Sequence, residues 1–197
     1  TKSTSSPATG NVTKGNERLV GVFDVVVNGE AVRTTSFKVA INLGTMTDAM
    51  ISNSRLKNFT TGEALGGPNT VSTTDYTANA VTYEGTSTFT DTIDFPVGTT
   101  KVAVYVDLSD DVAGNDTIQV GIADADTDLV AKGITSNDTV TATPAATAVN
   151  SNVLTVKAGA LAATTLTTPA LRNLVKGSTD FVWAEMNLSA AGSGEDV

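Results

Sequence analysis

Apolar and polar residues alternate along most of this chain with a period of two, the spacing of a strand that buries one face. Leu19, Gly21, Phe23, Val25 and Val27 share one parity, with Asp24 on the other. Asn28-Gly29 follows, a dipeptide suited to a tight hairpin turn because both residue types tolerate positive φ. In the run from Ala31 to Leu43, Phe37, Val39, Ile41 and Leu43 line one face, opposite Lys38 and Asn42. Gly44 and Thr45 break it. Met50 to Leu56 is shorter and weaker, and Met46–Ile51 is too short to stand alone as a helix. Gly62, Gly66, Gly67 and Pro68 predict a wide loop. Val81 and Tyr83, then Phe89, Ile93 and Phe95, lead into the turn Pro96-Val97-Gly98. The clearest strand comes next, with Val102, Val104, Val106 and Leu108 on one face and Lys101, Tyr105 and Asp107 on the other. Ile118, Val120 and Ile122 alternate with Thr117, Gln119 and Gly121; Val153 to Val156 and a piece through Leu161 and Leu166 complete the series.

Short strands punctuated by Gly and Pro turns predict an all-β fold, a β-sandwich whose inner faces carry the alternating aliphatics. A barrel is the alternative, since the pattern does not count sheets. No stretch repeats apolar residues at helical spacing over three turns. Composition agrees: of 197 residues 34 are threonine, a β-branched type that favours strands, and 40% are apolar, enough to fill a core.

The chain ends much as it begins. Ser6-Pro7-Ala8, Asn11 and Lys14-Gly15 match Thr168-Pro169-Ala170, Asn173 and Lys176-Gly177, and 168 − 6, 173 − 11 and 177 − 15 all equal 162. Leu19, Gly21, Phe23, Val25 and Val27 then match Val182, Ala184, Met186, Leu188 and Ala190 at an offset of 163, as in 182 − 19. Gly29-Glu30-Ala31-Val32 returns as Gly194-Glu195-Asp196-Val197 after two more inserted residues. The organisation expected is a lead-in over 1–18, a sandwich over 19–166, and over 167–197 a junction with the opening strand of a second unit. Val182, Trp183, Met186 and Leu188 on that strand have too little chain after them to cover them. They are the expected interface, either with a following repeat or with a neighbouring copy into which the strand docks.

Several segments carry a family likeness. They are Glu30-Ala31-Val32-Arg33-Thr34-Thr35-Ser36-Phe37 with its echo at 194–197, the Phe95–Lys101 turn, the Asp110–Thr117 loop and Leu154–Gly159. On these the chain resembles the repetitive, immunoglobulin-like β-sandwich proteins of bacterial and archaeal cell surfaces, S-layer-type and fibrous extracellular proteins among them. The resemblance implies a structural or assembly role at the cell surface, with copies of itself or adjacent repeats as partners, and it brings no catalytic residues.

Charge and chemistry narrow the field further. Twelve Lys and Arg against 21 Asp and Glu give a net charge of −9, which repels nucleic acid. Histidine and cysteine are absent, so a Ser-His-Asp triad, a thiol nucleophile, a thiolate zinc site and disulfides are excluded. A fold indifferent to redox conditions suits an extracellular setting. No apolar run approaches the ~18 residues of a membrane-spanning helix, so no membrane insertion is expected. Asp124, Asp126 and Asp128 alternate in one short loop and are the candidate metal ligands, calcium being the candidate cofactor because it takes clustered carboxylate oxygens. The loop lacks the Gly and Glu of an EF-hand, and a solvated acidic loop is the competing reading. If the strand through Ile122 continued, Asp126 and Asp128 would point into the core, so the strand must turn out or bind a cation. Asn11, Asn58, Asn115, Asn137 and Asn187 each begin an Asn-x-Ser/Thr sequon. Glycans are therefore further candidate partners, in an adhesin-type alternative. No carboxylate pair sits beside an aromatic sugar platform, and no enzyme activity is expected.

Overall fold

The computed structural model describes residues 1–47, 49–157, 161–168, 173, 176, 177, 179 and 182–190. Strand β1 (Gly10–Thr13) leads into β2 (Gly15–Val27), β3 (Val32–Asn42) and β4 (Ile51–Asn58). The turn between β2 and β3 places Gly29 at φ +89°, where a Cβ would be strained. The glycine-rich stretch expected as a wide loop instead forms β5 (Ala64–Asn69), an edge strand on β4. Gly67 takes φ +89° there, and a Cβ on it would lie 2.5 Å from the Ser54 carbonyl oxygen. A small hairpin, β6 (Tyr76–Ala78) and β7 (Val81–Tyr83), precedes β8 (Gly85–Phe89), β9 (Ile93–Phe95) and the long β10 (Gly98–Leu108). Then come β11 (Thr117–Ile122), the one-turn helix α1 (Ala125–Asp128), β12 (Leu129–Gly133), β13 (Thr139–Val140), β14 (Val149–Asn150) and β15 (Leu154–Lys157). The last two strands, β16 (Ala162–Thr165) and β17 (Met186–Ser189), pair only with each other.

Two sheets face one another, and the chain is an all-β sandwich. One has the order β2-β10-β4-β5, the other β1-β15-β11-β3-β12-β13. In the second sheet β3 is central and its neighbours are broken strands: β8 and β9 follow one another along one edge, β11 and β12 along the other. The core forms where the faces meet. Phe23, Val102, Val104, Val106 and Leu108 from one sheet lie buried with Phe37, Val39, Ile41, Ile118, Val120, Leu154 and Val156 from the other. The period-2 reading of β2 holds at Phe23, Val25 and Val27 and slips below them. A bulge pairs Tyr105 with Leu19 directly after Val104 with Gly21, so Val20 rather than Leu19 is fully buried.

Residues 1–18, read from the sequence as a lead-in, run along the sandwich and join its sheets. Ser3 N–H donates to the Val22 carbonyl at 2.9 Å and Asp24 N–H to the Thr1 carbonyl at 2.8 Å, which extends the first sheet beyond β2. The chain then crosses over, and β1 pairs in parallel with β15 in the second sheet, Thr13 opposite Lys157. Thr1 thus lies beside Asp24, nine residues (24 − 15) up β2 from Gly15, or roughly 30 Å at the rise of a strand. Lys157 lies at the Gly15 end. The chain comes in toward one end of the sandwich and leaves it at the other.

Candidate functional site

The acidic loop breaks a strand. After Ile122 the backbone leaves the sheet and makes the single turn α1 before β12 resumes along β3. The strand thus turns out at Asp124, one of the two outcomes expected of it. Asp126 is exposed, while Asp128 is fully buried through the turn's own geometry. Its burial is compensated by protein donors. The Tyr76 hydroxyl donates to Oδ1 at 2.6 Å, and the Ala123 and Asp124 N–H groups both donate to Oδ2 at 3.0 Å. Lys38 Nζ lies 3.8 Å from Oδ1 and 4.4 Å from the centre of the Tyr76 ring. Burial, then the hydrogen bond to Asp128, push the Tyr76 phenol up to about 12. Asp124 and Asp126 hydrogen-bond to one another, which lowers the pKa of the first and raises that of the second.

The three aspartates thus have different employments. Among the described residues no group of three or more carboxylates could hold a metal ion. Asp128 instead fastens the β6–β7 hairpin to the outer face of the second sheet, over a small cluster of Tyr83, Ala40 and Ala123. Tyr83 is fully buried there and donates to Asn150 Oδ1 at 3.1 Å. A second polar cluster escaped the sequence reading. Asp107, on the outer face of β10, accepts from Arg55 at 2.8 Å, from the Glu17 N–H at 2.8 Å and from Asn53 at 2.8 Å. Burial alone would raise its pKa; these donors outweigh it and hold the carboxyl below the usual range. The only available signal was a carboxylate on the polar parity of a strong strand, which points equally to solvent.

The predicted interface residues lie in and beside the β16–β17 ribbon. Ala162 pairs with Ser189, Ala163 with Leu188, Thr164 with Asn187 and Thr165 with Met186. Apolar exposure is high: 47% at Val182, 77% at Trp183, 59% at Met186 and 58% at Leu188. Leu161 and Leu166 are exposed as well. An isolated two-stranded ribbon is marginally stable in water, and unpaired edges beside exposed apolar side chains favour pairing with further chain. Phe181, Pro169-Ala170 and the echo Gly194–Val197 lie outside the described residues. The sandwich also holds a cavity of about 520 Å³ between its sheets, near the Asn28-Gly29 turn. Val27, Val32, Phe37, Phe95, Ile122 and Leu129 line it. Of the five sequon asparagines, Asn11, Asn115, Asn137 and Asn187 are exposed, whereas Asn58 Oδ1 accepts from the Thr60 N–H at 2.9 Å in a tight turn. No helix among the described residues is long and apolar enough to cross a membrane. No family model matches the chain, and neither the curated proteins nor the solved structures contain a significant match.

Proposed function

We propose that this chain is a structural unit of an extracellular surface assembly, a filament or S-layer-like lattice, in which sandwiches are joined head to tail by tandem linkage or strand complementation. The observation that carries this reading is the ribbon of exposed apolar residues beyond a sandwich that is otherwise complete. Arrival and departure of the chain at opposite ends favour a linear array over a closed cluster. An immunoglobulin-like arrangement is part of the proposal. In chain order β2, β3, β4, β10, β11 and β15 take the places of strands B to G, with B-E-D in one sheet and C-F-G in the other. The role is mechanical rather than catalytic, and the chain's partners are further copies or repeats of itself.

The competing reading is an adhesin-type module that binds a surface glycan or protein. The 520 Å³ cavity is the place where that reading would be met, since Asp24, Asn28, Glu30, Thr141 and Thr143 line it beside the apolar side chains. Immunogold microscopy of the cells that make the protein, with antibody to the sandwich, tests the proposal. Label in ordered arrays or fibres at the cell exterior is the expected result. Label confined to the cell interior would overturn it, and saturable glycan binding by the monomeric chain would favour the adhesin.

A further inference from the structure

We propose that β16 and β17 are the first two strands of a second sandwich of the same kind, its other strands supplied by chain that follows Val197. This rests on the structural role above and narrows it to tandem linkage. The pairing that the ribbon makes is already present in this molecule, at the free edge of β2. There Ser3 N–H donates to the Val22 carbonyl at 2.9 Å, Lys2 faces Phe23, and Asp24 N–H donates to the Thr1 carbonyl. In the ribbon Leu166 N–H donates to the Glu185 carbonyl at 2.9 Å, Thr165 faces Met186, and Thr164 faces Asn187. Each correspondence has one offset: 166 − 3, 185 − 22, 165 − 2, 186 − 23, 164 − 1 and 187 − 24 all equal 163. That is also the offset by which the apolar alternation of β2 returns, Phe23 as Met186 and Val25 as Leu188.

A hydroxyl beside this pairing corresponds too. Ser6 Oγ accepts from the Val22 N–H at 3.2 Å, and Thr168 Oγ1 donates to Glu185 Oε2 at 2.7 Å. In both places the hydroxyl of the residue that precedes Pro-Ala in the sequence reaches the same residue of the strand, at its N–H in one and at its carboxylate in the other. Thr168 stands at offset 162 because one residue separates it from Leu166 where two separate Ser6 from Ser3. Pairing register and side-chain parity thus agree at the offset of 163, with the hydroxyl contact one residue away from it, although a hairpin needs only the first.

The packing to come follows from the packing in hand. The other edge of β2 takes β10, and Phe23 and Val27 enter the core. The edge of β17 away from β16 is accordingly the place for a strand equivalent to β10, with Met186 and Leu188 turned inward. One further expectation is specific. A Cβ on Gly21 would lie 2.6 Å from Val120 Cγ2, yet the corresponding residue is Ala184. The second unit therefore carries a smaller side chain than valine at the position corresponding to Val120. Only residues 158–161 separate β15 from β16, a span of at most ~18 Å from Lys157 to Ala162, so consecutive sandwiches stand close together, end to end.

The test is the chain extended by what its gene encodes beyond Val197, over about the length of Arg33–Lys157 (157 − 32 = 125 residues). Amide exchange at 186–189 is expected to slow by about 100-fold or more relative to the 197-residue chain. The emission of Trp183, the sole tryptophan, is expected to shift to the blue, with both changes independent of protein concentration. A gene that stops at Val197, or an extension that folds without protecting 186–189, would overturn the proposal. Protection that appears only at high concentration would do so as well and would point to docking of a second copy. Should the extended protein be insoluble, the register is tested in the 197-residue chain, which has no cysteine of its own. Thr165→Cys with Met186→Cys is expected to crosslink on air oxidation and Thr165→Cys with Leu188→Cys to crosslink far less; the reverse order overturns the alignment. Loss of surface labelling in the immunogold experiment would remove the assembly role and leave this strand assignment standing, so the two failures are distinct.

Discussion

β2 and β17 carry the same alternation and take the same kind of partner along one edge, yet Phe23 is fully buried and Met186 is 59% exposed. The difference lies on the other edge and above the face. β2 has β10 beside it and a second sheet over it; β17 has neither among the described residues. Edge pairing fixes which residue faces which, but it removes little apolar surface from water. Burial of a large aliphatic or aromatic side chain is worth about 1.5–3 kcal/mol, and that term arises only when a second layer closes. The register of a strand and its stability therefore have separate sources, and this molecule displays one without the other.

The sharpest way to break the comparison is to cut the same position in both strands. Phe23→Ala leaves a void between the sheets and is expected to cost about 3–5 kcal/mol in urea unfolding of the sandwich. Met186→Ala in the 197-residue chain is expected to change the same transition by less than about 0.5 kcal/mol, as an exposed site should. Comparable losses would mean that β17 is packed on its own sandwich. A second contrast concerns the outer faces, since the sandwich is covered by the β6–β7 hairpin over β3 and the ribbon by nothing described. Asp128→Ala strands the Tyr76 hydroxyl and two backbone N–H groups, with an expected cost of about 3 kcal/mol by thermal or urea unfolding. Tyr76→Phe, which removes one donor, is expected to cost about 1 kcal/mol. A double-mutant cycle that shows no coupling between the two would remove Asp128 as the hairpin's fastening.

These same residues show what the sequence could and could not reveal. Strands through Phe37–Ile41, Val102–Leu108 and Ile118–Ile122 were legible because one face of each is buried and period-2 alternation survives. Legibility failed where geometry departs from period two. The bulge at Val20 moves the buried parity by one, and α1 takes the chain out of the strand at Asp124, so that Asp126 is exposed although a continuing strand would have set it inward. β5 was hidden because Gly66-Gly67-Pro68 is a turn signal, although the small residues there let the edge strand lie against Ser54 and Phe89. The aspartates were recognised as a group that must turn out or bind a cation. A third solution, a carboxylate buried on protein donors, requires Tyr76 from 52 residues away (128 − 76), and no local pattern encodes that partner. The alternation through Met186 and Leu188 was legible in the sequence, whereas its pairing with 162–165 was not, because no local pattern names the partner strand.

A smaller effect sharpens the comparison at the lead-in. Ser3 is buried, and its hydroxyl accepts from Lys101 Nζ at 2.7 Å and from the Ser5 N–H at 3.2 Å. Ser3→Ala is expected to destabilise the sandwich by about 1 kcal/mol, read as a shift of the urea midpoint at constant slope. Leu166 occupies the corresponding place in the ribbon and is half exposed, so Leu166→Ala should leave that midpoint where it is. Loss of stability at both positions would tie the ribbon to the sandwich and blur the distinction between them.

The smallest expected effect is in the response to acid, and it separates the two strands by charge. Asp24 and Asn187 correspond at the 163 offset, and only the first titrates. Burial alone would raise the Asp24 pKa, but the Ser3 hydroxyl and the Lys101 ammonium, 3.1 Å from Oδ1, outweigh it and lower the carboxyl below its ordinary value. A carboxyl whose folded pKa lies below its unfolded one binds its proton more readily in the unfolded chain. Its stabilising contribution is therefore full above the unfolded value, near pH 4, and is lost as pH falls through the folded one. Asp24→Asn should reduce the loss of sandwich stability between about pH 4 and pH 2, measured as urea midpoints across that range. Pairing at 162–165 with 186–189 should be indifferent to the same acidification, since Asn187 carries no proton to gain. An acid response in the ribbon's exchange rates that follows the Asp24 titration would show that the two edges are coupled, and their correspondence would then be contact rather than repetition.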